Sequence, residues 1–469
     1  MRSFVMILSL LLIFTISSVQ AVDKTALSED LIKRLEANFA EQGSRQNLIN
    51  AITNNNINDL SLNRDIIVSH NKQFSHRLNK SGITNQKGSG RCWLFAGLNV
   101  YNPDLMNKLG LSSFELSQPY LTFWDKMEKA NTFLEEIIRL RDRPYDDREL
   151  GITLEEPFGD GGWWHYVTAL LDKYGAVPIT AMPETKQSTS TGTINSLANC
   201  KLRMFASEMR EMHTNGKTED QIRERKKEML EEIYTLMVFA YGTPPKEFVF
   251  RYESKDSTVS EPKTYTPKSF YKEFLADDVL EYVTIMNNPS KEFDKVYQMQ
   301  ASRNMADQPD MTMLNLSIDK LKAYSLKALL DSQAVWFACD VGKGNYGKEG
   351  IFAADVYDYN TTLGLDFKIS KSDRIQYFDS SPNHAMVLLG VDTTTEGKPV
   401  KWLVENSWGT DKGDDGYWYM YDDWFNEYVY FTIIDKNLLD KDDLEKLKQK
   451  PIITPMWDPF YQVIKNSKN

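Results

Sequence analysis

The segment that most restricts this chain lies toward its C-terminal end, where two apolar runs, 385–391 and 400–405, flank the polar stretch 393–398. Runs of that length rich in Val, Leu and Trp, joined by a Gly-containing polar turn, predict an antiparallel hairpin. Opposed residues in a hairpin are equidistant from the centre of the turn, and His384 and Asn406 lie eleven residues either side of position 395. The spacing permits the two side chains to be neighbours, with the Asn406 amide fixing one tautomer of the His384 ring; a bulge would shift this register by one. On this arithmetic alone, a core histidine and a turn asparagine fit equally well. A further strand is predicted over 417–420.

A second informative junction comes earlier. The glycines of 86–91 mark a loop, and Cys92-Trp93-Leu94-Phe95-Ala96 opens a helical pattern that tolerates Gly97 and stops before Pro103. Free backbone N–H groups and the positive end of the helix are expected to favour the thiolate of Cys92. Cys200 and Cys339 have no such setting and read as packing thiols. Three cysteines in 469 residues exclude a disulfide framework, so burial must stabilise the fold. Gln86, six residues before Cys92, offers an amide to an oxyanion hole if the loop curls back, although a solvated loop glutamine is the plainer reading. A second glycine cluster, 158–164, reads as another loop entering a helix. Of the other histidines, His70, His76 and His213 sit in polar contexts that point to the surface, and His165 suits a cleft wall or a packing role equally. Nucleophile, base, orienting group and oxyanion donor, the set that thiol-based acyl transfer needs, each have one candidate.

Arg2 precedes a largely apolar run from 4 to 16, followed by Val19-Gln20-Ala21. That run is too short to span a bilayer and suits a signal peptide cleaved after Ala21, so the mature chain is expected to be exported, periplasmic or secreted, with no membrane segment. Leu31, Ile32, Leu35 and Phe39 then recur at helical spacing behind a Ser28 N-cap. Around 221–237, Ile222, Met229, Leu230, Ile233, Tyr234 and Met237 share a helical face, and the basic residues between them alternate with Glu224, Glu228, Glu231 and Glu232. That charge mixture, with 55 Lys+Arg against 66 Asp+Glu overall, argues against nucleic acid as a partner. Gly88-Ser89-Gly90 lacks the Lys-Ser/Thr ending of a phosphate loop, and no metal-ligand cluster is evident, so no cofactor or metal is expected.

Taken together, 86–96, Asn383-His384-Ala385-Met386 and Glu405-Asn406-Ser407-Trp408-Gly409 closely resemble the papain-like cysteine peptidases, specifically their bleomycin hydrolase and aminopeptidase C branch. Asp160-Gly161-Gly162-Trp163-Trp164, 335–343 and Trp457-Asp458-Pro459 resemble that branch too, so the likeness spans roughly 60–460. The resemblance implies an α+β, papain-like two-lobe fold, a helical lobe plus a β-barrel-like lobe, with a helical insertion. The chain then divides into a signal peptide (1–21), an N-terminal helical arm (22–80), the helical lobe with Cys92 (81–186), the insertion (187–275), the β lobe with His384 and Asn406 (276–440) and a C-terminal arm (441–469). It implies Cys92 as nucleophile, His384 as general acid/base, Asn406 as orienter and Gln86 as oxyanion donor. Trp408 would shield the Asn406 to His384 contact, and Gly161 and Gly162 would leave backbone open to an extended peptide substrate.

The branch also implies a homo-hexameric barrel and aminopeptidase action governed by the chain's own C-terminus lying in the cleft. Here ten residues, 460–469, follow Pro459, ending in the polar tail 465–469 and running longer than the branch's usual short apolar ending, and the signal peptide departs from a usually intracellular branch. The expected function is an exported cysteine aminopeptidase working through a Cys92 thioester. The alternatives are a cysteine endopeptidase with a relaxed exopeptidase restriction, or a non-catalytic peptide- or nucleic-acid-binding barrel.

Overall fold

The computed structural model describes residues 25–41, 45–79, 82–275 and 282–461. The expected signal peptide and the polar tail beyond Tyr461 lie outside the described residues. The chain divides into two compact units, 1–62 and 63–469. In the first, Ser28 Oγ accepts the Leu31 N–H (3.2 Å) at the start of helix Glu29–Glu41, the predicted cap, with Glu29 and Asp30 in the first turn where the helix dipole favours acids.

The second unit mixes helices with a sheet of twelve strands among the described residues, an α+β architecture. At its centre strand Val335–Cys339 is bonded on one side to His384–Thr393 and on the other to Val429–Asp435. Beyond His384–Thr393 come Pro399–Glu405 and then Tyr417–Tyr421. Side chains alternate across this sheet with period two. Trp336, Ala338, Ala385, Val387 and Leu403 pack into the core shared with the helices, whereas Phe337, Cys339, Met386, Leu388, Trp402 and Trp418 pack into a second core. Strands buried on both faces read as unbroken apolar runs, which is why 335–339 carries no polar residue.

The predicted hairpin forms, its turn closed by Gly397 N–H on the Thr394 carbonyl (2.9 Å) with Gly397 at φ +80°. Its register differs from the expectation. Val387 faces Glu405 and Leu388 faces Val404, which centres the turn on 396, with irregularities at Leu388/Gly390 and Asp392/Thr393. At Val387, Leu388 and Thr393 the partner is thereby moved by two, which keeps those side chains on their predicted faces, whereas between the irregularities, at 390–392, it is moved by three. The short strand His76–Arg77 pairs with Val391 and Gly390, beside the part of the histidine strand that Val335–Cys339 leaves uncovered. A side chain at position 390 would stand 2.8 Å from the His76 carbonyl oxygen, so glycine is what lets this strand in.

Helix Cys92–Asn99 is buried along nearly its whole length and packs on helix Trp164–Tyr174, so closely that a Cβ at Gly97 would lie 2.6 Å from Val167. The Trp336 indole N–H donates to the Trp93 carbonyl (3.1 Å), linking the central sheet to this helix. Helices Gly192–Thr214 and Glu219–Tyr241 cover helix Gln118–Arg139. Ile222, Met229, Ile233 and Met237 are buried as the spacing predicts, whereas Tyr234 is exposed, its ring edge-on to Phe123. The basic residues of this face are paired: Arg223 with Glu135 and Glu219, Arg225 with Glu208 and Glu228, Lys227 with Glu224. Cys200 is exposed rather than packed, because it points away from the buried stripe of Ala198, Leu202 and Phe205.

Candidate active site

Two loops set the position of Cys92. The first, 86–91, is zipped to the segment after the hairpin: Gln86 N–H donates to the Ser407 carbonyl (2.8 Å) and Gly409 N–H to the Thr84 carbonyl (3.1 Å). Ser407 Oγ donates to Gln86 Oε1 (2.7 Å) and Gln86 Nε2 donates to the Ser89 carbonyl (2.7 Å). These two bonds fix which way round the amide lies, and they leave one of its two N–H donors open. Arg91, with 1% of its surface exposed, ties the loop down through Ser89 Oγ (2.9 Å), the Glu184 carboxylate (3.0 and 3.1 Å) and the Ser188 carbonyl (2.7 Å).

The second loop, 158–162, is built around Asp160. Its carboxylate accepts from Gly90 N–H (2.9 Å), Thr191 Oγ1 (2.5 Å) and Asn195 Nδ2 (2.7 Å), and pairs with the buried Lys126 Nζ (2.8 Å). Burial by itself would raise this carboxyl, but the Lys126 charge and the hydrogen bonds hold it well below the usual carboxylate range. Lys126 and Lys129 also donate to the carbonyls of Phe158, Gly159 and Gly161. The Trp93 indole N–H donates to the Asp160 carbonyl (2.8 Å), and a side chain at Gly162 would stand 2.5 Å from the Trp93 ring. Position 161, in contrast, faces open space.

Cys92 opens its helix at this junction, yet its thiol is not poised as the helix end predicts. Burial pushes it up to about 11, outweighing the backbone N–H groups of Ala385, Trp93 and Cys92 itself, which favour the thiolate. His384 is held down to about 4, again by burial, with the Asn406 hydrogen bond working the other way.

Which nitrogen of that imidazole is free follows from the hydrogen bonds. Asn406 Oδ1 accepts the Ser407 N–H (2.8 Å), so it is the oxygen of the amide, and the bond it makes to His384 Nε2 (2.8 Å) requires a proton on Nε2. Nδ1 is left with its lone pair, ready to take a proton. Trp408 stacks on the His384 ring (4.8 Å between centroids, 29° between planes), and Trp418 meets Trp408 edge-on at 5.5 Å. The two-residue register offset accounts for this contact: with the turn centred on 396, the position opposite His384 is 408, and Asn406 reaches the ring from just beyond the end of its strand.

Gln86, Cys92, His384, Asn406 and Trp408 are thus joined through Ser407 and the start of the histidine strand, with Gly161 and Gly162 beside them through Trp93 and Asp160. Sequence reasoning passed over Asp160, Lys126, Lys129, Arg91 and Ser407. The readable signal for the first three was a lone acid amid glycines and two lysines in the apolar helix Gln118–Arg139, charges that need partners once buried. His165 is a packing residue, its Nε2 bonded to the Ser302 carbonyl (3.1 Å), and His70 is half-buried with its ring against Tyr419. Among the described residues no group of three or more His, Cys, Asp or Glu could hold a metal ion, and no helix is long and apolar enough to cross a membrane.

A cysteine at a helix start, an imidazole with its free nitrogen defined by an asparagine, and a glutamine amide are brought together on an α+β fold of the papain-like class. The chain belongs to the peptidase C1-like family, whose model matches residues 26–461, in the branch that holds aminopeptidase C and bleomycin hydrolase. It is 35% identical to aminopeptidase C of Streptococcus thermophilus over 93% of this chain and 98% of that one. It is 37% identical to aminopeptidase C of Lactococcus lactis subsp. cremoris over 92% and 99%, and 35% identical to bleomycin hydrolase of Rattus norvegicus over 88% and 93%. A crystal structure of PepW from Lactobacillus rhamnosis HN001 superposes with a TM-score of 0.90 at 34% identity, covering 93% of this chain and 99% of that one.

Proposed function

We propose that this protein is a cysteine aminopeptidase in which Cys92 attacks the peptide carbonyl and His384 Nδ1 takes the thiol proton and then delivers it to the leaving amine. Gln86 Nε2 and the Cys92 N–H hold the developing oxyanion, and water resolves the thioester with His384 as base. The observation that carries the reading is the double acceptance by Asn406 Oδ1, which defines a proton-accepting nitrogen on His384. Gly161, open on its surface side, provides backbone for an extended peptide, and Trp408 excludes water from the Asn406 to His384 bond. The Cys92→Ala variant should retain the fold by circular dichroism and lose peptide hydrolysis; undiminished turnover would refute the assignment. Free and N-acetylated peptides of one sequence separate exopeptidase from endopeptidase action, because equal cleavage of both contradicts the aminopeptidase reading.

The domain limits given above, export after cleavage at Ala21 and assembly into a homo-hexamer complete the proposal. Export is supported by the apolar run ahead of Ala21, and N-terminal sequencing of protein recovered outside the cytosol tests it. Assembly is supported by branch membership and by the exposed Leu197, Met204 and Phe239 on the two long helices of 187–275. Sedimentation should give about six times 54.1 kDa, and a monomer mass would reject it.

A further inference from the structure

Beside Trp408, whose ring stacks on His384, lies a pocket of about 390 Å³ whose lining includes Asn85, Lys87, Asn345, Lys412 and Trp418. It contains no carboxylate. Among the described residues neither Lys87 nor Lys412 makes a side-chain hydrogen bond or ion pair, and both are exposed. Of the acids that flank Lys412 in sequence, Asp414 is taken up by Lys72 (2.6 Å) and by the Tyr419 hydroxyl, and neither Asp411 nor Asp415 lines the pocket. Trp418 is 1% exposed, yet its indole N–H has no partner, an arrangement that leaves a buried donor waiting for an acceptor. Gly413 keeps that donor clear: a Cβ there would stand 2.8 Å from Nε1. The Lys87 side of the pocket is fixed in place, because residue 87 sits at φ +53° with its N–H on Asn85 Oδ1 (2.9 Å), and Asn85 bridges to Trp408.

Two unpaired ammonium groups and one orphaned N–H in a lining without a carboxylate make an anion site, and its place next to the general acid makes it a site for the leaving half of the substrate. We propose that Lys87, Lys412 and the Trp418 indole bind a carboxylate on the leaving group, so that the enzyme prefers short peptides ending in a free α-carboxylate close to the cleaved bond, or peptides with an acidic side chain there. This rests on the peptidase reading above. Asn345 Oδ1, also unpartnered in the same lining, supplies an acceptor for a backbone N–H of that leaving segment.

The test compares kcat/KM for Leu-Ala and Leu-Ala-Ala with their C-terminal amides, and for Leu-Asp amide with Leu-Asn amide, in the wild type and in a Lys87→Met, Lys412→Met double variant. Wild type should favour at least one set of acids over its neutral counterparts by about tenfold at low ionic strength, the size expected of two exposed charges acting together. That preference should shrink as salt is added and fall close to unity in the double variant, whose circular dichroism should match wild type. Preference in the free-acid arm assigns the carboxylate to a chain end, and preference in the aspartyl arm assigns it to a side chain. Equal cleavage of acids and neutral partners by wild type, or a preference that survives in the double variant, overturns this inference alone. Failure to cleave any of the substrates overturns the peptidase reading and this inference with it.

Discussion

The two sides of the catalytic pair are held by different physics. The Cys92 side depends on buried charge: Arg91 on Glu184, and Lys126 on Asp160, reach across 93 and 34 residues of sequence to fix two loops. The His384 side depends on a local hairpin and on ring stacking, with Trp408 over an imidazole whose only charged form is suppressed by burial and Trp418 edge-on behind Trp408. A nucleophile approached by substrate backbone needs loops, and loops in a core need their polar groups satisfied; a base needs one orientation and dry surroundings. The first arrangement fails when one partner is lost, and the second when water enters.

The contrast can be broken most severely at Asp160. Replacing it with Ala leaves Lys126 charged and buried without its partner, and we expect a loss of about 3–5 kcal/mol in urea unfolding together with loss of activity. An unchanged unfolding midpoint would show that the network does not hold the nucleophile side. Acidification should strike the other side. His384 and His165 are both held down to about 4 against an ordinary value of 6.5. The unfolded chain therefore binds protons that the folded chain refuses, so their stabilisation is complete above pH 6.5, declines as pH falls, and is lost through pH 4. Each is worth about 3 kcal/mol across that window, and His165→Gln should flatten roughly half of the dependence of the urea midpoint on pH. Trp408→Ala should lower kcat by about tenfold while the fold persists, because water then competes for the Asn406 to His384 bond; a change confined to KM would assign Trp408 to substrate binding instead. The smallest effect separates the two glycines: Gly162→Ala must displace the Trp93 ring and should cost about 1–3 kcal/mol, whereas Gly161→Ala should leave stability within about 0.5 kcal/mol, measured in the same urea titration.

The hairpin and the loop-to-helix junction were readable because local chemistry writes them: unbroken apolar runs, a Gly-bearing turn, glycines ahead of an apolar helix. The spacing of His384 and Asn406 places the turn one residue early, because which residue of the polar stretch 393–398 sits at the centre of the turn leaves no mark in residue type, and the irregularities at Leu388/Gly390 and Asp392/Thr393 leave none either. At Cys92 the helix-end N–H groups favour the thiolate as the sequence predicts, together with that of Ala385, but the burial that outweighs them is a property of packing and leaves no local mark. The same holds for Asp160 and Lys126, whose pairing spans a loop and a helix, and for Cys200, whose exposure is decided by which stripe of its helix finds a partner.

The small strand at His76–Arg77 has a consequence for handling the protein. It occupies the stretch of the histidine strand that the central strand leaves uncovered, where backbone N–H and carbonyl groups would otherwise be free to recruit a strand from another molecule. N-terminal shortening that stops before residue 74 keeps this seal, and shortening that passes residue 77 exposes a sheet edge continuous with the strand that carries His384. Aggregation on storage, and not merely lower activity, is the expected mark of that longer truncation.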